Sequence, residues 1–101
     1  MGKHQLLTPK RVHFLKSAIN NRGELRLITP EGYHLPPYWI AGTCRLPLES
    51  GKRLLKAGYT QKAEPWMTEP GVFRFTVTES GRSAVLQHST NLIGFPFRRV
   101  V

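Results

Sequence analysis

Glycine and proline punctuation around one short basic segment constrains this chain more than any other feature. Ser50-Gly51-Lys52-Arg53-Leu54-Leu55-Lys56-Ala57-Gly58-Tyr59 reads as a basic helix stopped by a glycine. Phe75-Thr76-Val77-Thr78-Glu79-Ser80-Gly81-Arg82 reads as a strand running into a threonine-capped helix. Between them, Tyr59 to Met67 and Val72 to Val77 pair as a hairpin around Thr68-Glu69-Pro70-Gly71, a tight-turn sequence. In the second of these strands Val72, Arg74 and Thr76 alternate with Phe73, Phe75 and Val77, giving one polar and one apolar face.

Thr8-Pro9 starts an earlier helix, with threonine as N-cap and proline at the first helical position. Val12, Leu15 and Ile19 fall at helical spacing, and Phe14 and Ala18 widen the stripe. Asn20-Asn21-Arg22-Gly23 stops it. Glu24 to Ile28 alternates as a short strand with Leu25 and Leu27 facing one way, and Thr29-Pro30-Glu31-Gly32 is a turn. Tyr33 to Leu46 has two readings: a short helix opened by Pro37, or a loop laid against the core. Pro47 and Glu49 then open the basic helix over 46–57, Glu49 suiting the positive end of the helix dipole. Gly51 inside that helix marks close approach to another element. Thr78 caps a last helix, Glu79 to Gln87. The expected organisation is a lead-in over 1–7, one domain over 8–87 and an extended tail over 88–101.

Composition narrows the function. Fifteen Lys and Arg stand against six Glu and no Asp, a net charge of +9 in 101 residues, so an anionic partner is the default. Cys44 is alone, which excludes an intrachain disulfide and fits a reducing compartment. No run has the length of a membrane span and no signal peptide is visible, so the chain reads as cytoplasmic. Catalysis finds little support. The glutamates share no evident face for acid–base work. His4, His13, His34 and His88 lack metal-ligand spacing, and Gly51-Lys52 lacks the remaining elements of a phosphate-binding loop. The expectation is a non-enzyme without metal or cofactor.

Leu54-Leu55-Lys56-Ala57-Gly58-Tyr59 resembles the end of the recognition helix in winged-helix transcriptional regulators. Phe73 to Ala84 is similar to their second wing strand and the "Leu-Thr-x-x-Gly-Arg" start of the next helix, as in regulators of the multiple-antibiotic-resistance and phenolic-acid repressor types. Thr8 to Ile19 is similar to their first helix, so the resemblance covers about residues 8–87. It implies an α+β fold, a small winged helix of three helices, a short strand and a C-terminal β-hairpin wing. It departs at Gly32 to Leu46, where those families carry a regular second helix and this chain is rich in proline, glycine and aromatics.

On that resemblance the chain is expected to bind double-stranded DNA as a regulator. Lys52, Arg53 and Lys56 would face the groove, and Arg45 and Ser50 would sit near the helix start facing phosphate. Lys62 and Arg74 would lie in the wing, and Trp66 would stack on a base or anchor a protein partner. Each has a plainer alternative: a solvated basic helix face for the lysines and arginines, core packing for Trp66. Tyr33, Tyr38 and Trp39 read as core or loop-anchoring residues, and Arg98-Arg99 as a charged terminus or a backbone-binding arm. The rival function is a protein-interaction module of the phage or mobile-element type that binds or inhibits a host protein or nucleoprotein complex. The chain reads either as a monomer or as a homodimer through the tail or Tyr33–Ile40.

Overall fold

Strand pairing around β1 organises the molecule. The computed structural model describes residues 7–30 and 35–88. Its elements are α1 (Pro9–Asn20), β1 (Glu24–Ile28), β2 (Tyr38–Ala41), β3 (Cys44–Pro47), α2 (Leu48–Lys56), β4 (Thr60–Glu69), β5 (Val72–Val77) and α3 over 79–88. The strands form one five-stranded antiparallel sheet in the order β3-β2-β1-β5-β4.

This corrects the winged-helix expectation. Tyr38-Trp39-Ile40-Ala41 and Cys44-Arg45-Leu46-Pro47 are neither helix nor loop: they pair as a hairpin, and β2 also pairs with β1. The reversal is the two-residue Gly42-Thr43, with Gly42 at φ 62°, the glycine-first turn whose twist suits a hairpin. An aromatic and β-branched run satisfies its backbone groups better as strand than as a second helix. The expected lone short strand after α1 is therefore the centre of a five-stranded sheet.

Local signals elsewhere act as the sequence implies. Thr8 Oγ1 accepts from the Arg11 amide at 3.3 Å, and Pro9 opens α1. Thr78 Oγ1 accepts from the Gly81 amide at 3.1 Å, capping α3, and donates to the Gly58 carbonyl at 2.6 Å. That second bond ties α3 to the end of α2. The expected lead-in, apart from Leu7, and the tail, apart from His88, lie outside the described residues, as do Tyr33 and Arg98-Arg99.

Directly opposed residues in an antiparallel pair share a face. Leu25, Trp39, Ala41, Leu46, Phe75 and Val77 lie on one face and are buried with Phe14, Leu15 and Ala18 of α1, Leu54 of α2 and Val85 of α3. The helices thus cover one side of the sheet. Trp39 is at the centre, 1% exposed, edge-on to Phe75 at 4.7 Å between ring centroids. Its indole N–H donates to the Leu48 carbonyl at 3.0 Å, which fixes the start of α2 over the sheet. Gly51 lies directly on the Trp39 ring, where a Cβ would overlap it, so the glycine inside α2 does mark a close approach. Cys44 is half-buried and accepts from the Ser17 hydroxyl at 3.0 Å.

Candidate nucleic-acid interface

Helix α2 presents its basic side chains because its apolar ones are committed inward. Gly51 and Leu54 are buried, and Leu55 packs against the core. At 3.6 residues per turn, Lys52, Lys56 and Arg53 span about 100° on the opposite side of the helix. All three are exposed. Glu49 shares that face and contacts Lys52 at 3.7 Å. With side-chain exposures of 51% and 78%, such a pair holds its partners by less than about 1 kcal/mol and yields easily to a phosphate. Arg53 and Lys56 occupy the last turn, where cations also complement the helix dipole.

The other expected site residues do not gather on this surface. Ser50 accepts from Arg11 Nε at 2.9 Å, so its hydroxyl braces α2 against α1. Arg45 is in β3, on the sheet face away from the helices, with its guanidinium 4.6 Å from the Tyr38 ring centroid. Arg74 is on that same outer face of β5; it ion-pairs with Glu24 and donates to the Pro65 carbonyl at 3.1 Å. Lys62 is opposite Phe75 and therefore on the helix side of the sheet. The two hairpin cations thus point to opposite faces.

Trp66 packs rather than projects. Its ring lies 5.0 Å from Phe73 and 5.1 Å from Phe75, with Lys62 Nζ 4.6 Å over it. Tyr38 is half-buried beneath Arg45, not in the core, whereas its neighbour Trp39 is. Arg26, exposed in the middle of β1, is a further cation outside the expected set. The signal was there, because Leu25 and Leu27 facing inward put Arg26 outward. Arg26 gains meaning only once β1 is known to be flanked on both sides.

Among the described residues no three His, Cys or Glu side chains come together to hold a metal ion, and no helix is long and apolar enough to cross a membrane. Comparison with known proteins gives no relative: no protein-family model, curated protein or solved structure matches the chain.

Proposed function

We propose that this protein binds duplex DNA through the outer face of α2 and acts as a cytoplasmic regulator rather than an enzyme. The observation that carries the reading is the exposed stripe of Lys52, Arg53 and Lys56 on a helix whose opposite side is fastened to Trp39. A preplaced cationic stripe meets phosphates without first ordering the backbone that bears it, and the net charge of +9 adds long-range attraction. Glu49 at the head of the stripe directs the strongest contacts to Arg53 and Lys56. The rival, a protein-docking surface centred on Trp66, is weakened by the packing of that ring on Phe73 and Phe75.

The test is fluorescence anisotropy with a labelled random duplex of about 20 base pairs at low salt. Wild-type protein is expected to bind in the micromolar range typical of phosphate-driven association. Arg53→Ala with Lys56→Ala should weaken it strongly while leaving the far-UV circular dichroism unchanged, since both side chains are exposed. Absence of binding at low salt would contradict the proposal and direct attention to pull-downs for a protein partner.

A further inference from the structure

The sheet face turned away from the helices forms a second cationic surface. Across β3, β2, β1 and β5 the register aligns Arg45, Ile40, Arg26 and Arg74 in one row. The next row is Pro47, Tyr38, Ile28 and Val72. Arg26 and Arg45 are exposed, and neither has a carboxylate partner among the described residues. Arg74 is engaged by Glu24, the first residue of β1, so that carboxylate is already balanced by a cation of the same face. Glu69 lies at the outer margin, opposite Val72. A recess of about 580 Å³ opens beside Tyr38 and Arg45, with Ile28, Leu35 and Pro47 among its walls. Leu35, at 63% exposed, is accessible to whatever enters.

Shape decides between anionic occupants. Five strands about 4.8 Å apart span roughly 19 Å from first to last. The major groove is only about 12 Å wide, so a sheet of this breadth does not enter it face-on without distorting the duplex. Unpaired bases can lie flat on it. The Arg45 guanidinium, 4.6 Å over the Tyr38 ring centroid, and the half-buried Ile28 and Ile40 give a base an exposed cationic group beside an apolar floor. An acidic peptide would use the charges of Arg26 and Arg45 but not this stacking arrangement.

We propose that the outer sheet face binds single-stranded nucleic acid, one base stacking on the Arg45–Tyr38 pair beside the recess and Arg26 contacting the backbone phosphate. This surface is separate from α2, so either can fail without the other.

The test uses the full chain, labelled 15-nucleotide oligo-dT and oligo-U, and the labelled duplex, all read by anisotropy at one salt concentration. Arg45→Lys keeps the charge and removes the stacking plane, so both single strands should bind between about 5-fold and about 150-fold more weakly. Duplex affinity should change less than about 2-fold. Tyr38→Leu retains an apolar side chain at that position and should shift single-strand binding the same way. Preference for oligo-U over oligo-dT would identify RNA as the ligand, and the reverse DNA. The proposal is overturned if wild type fails to bind either strand, or if Arg45→Lys and Tyr38→Leu bind as wild type does. It is equally overturned if oligo-glutamate of the same charge displaces the strand as well as unlabelled oligo-dT does, because the face then recognises charge alone.

Discussion

Replacing Gly51 by alanine separates the packing of α2 from its intrinsic propensity. In an exposed helix interior, glycine to alanine adds about 1 kcal/mol of stability. Here the new methyl would be driven into the Trp39 ring, which is itself 1% exposed and confined by Phe75. Overpacking of a filled core costs about 1–3 kcal/mol. If α2 is displaced to make room, the indole loses its bond to the Leu48 carbonyl and remains buried, at a further cost of about 1–3 kcal/mol. Because the added Cβ overlaps the ring, α2 must shift, and with both costs set against the propensity gain the balance is a net loss of about 1–5 kcal/mol. For a domain of this size that lowers Tm by at least about 4 °C. Thermal and urea denaturation followed by far-UV circular dichroism read the change. In a Trp39→Phe background, where the ring is smaller and has no N–H, the same substitution should cost less, giving a coupling energy between the two sites. A Gly51→Ala protein as stable as wild type, or more stable, would refute the close approach of α2 to Trp39.

Two further stability predictions follow from side-chain bonds. Thr78→Ala removes both the cap on α3 and the bond to the Gly58 carbonyl, so it should cost about 1–2 kcal/mol by urea denaturation. Thr60 Oγ1 is buried without a hydrogen-bond partner among the described residues, so Thr60→Val should be neutral or stabilising by up to about 1 kcal/mol; a loss greater than about 1 kcal/mol would show that the hydroxyl has a partner.

Segments with local signals were legible in the sequence. Thr8-Pro9, Gly58, Pro70-Gly71 and Thr78 each act through neighbouring residues, and all mark the ends of elements as read. Alternation in β1 and β5 correctly assigned Leu25, Leu27, Phe73, Phe75 and Val77 to the buried side. The winged-helix expectation failed over residues 38–47, where strand identity depends on pairing with β1, a contact distant in sequence. Pro36-Pro37 is compatible with a helix start or a loop, and only Gly42-Thr43 between two apolar runs signals the hairpin. The same non-local cause scattered the candidate site. Charge could be read from the sequence, but which face of the sheet carries Arg45, Lys62 and Arg74 depends on register. Arg26 joins Arg45 and Arg74 in one row only through the register of β3, β2, β1 and β5, which no local signal specifies.

The most direct test of nucleic-acid binding through α2 is the salt dependence of duplex affinity for wild type and for the variant carrying Lys52→Ala, Arg53→Ala and Lys56→Ala. Each phosphate contact contributes about −0.9 to the slope of log K against log salt. If all three side chains meet phosphates, the variant's slope should be shallower by about 2.7, with its fold unchanged by circular dichroism. Equal slopes for the two proteins would place any duplex contact elsewhere and contradict the account.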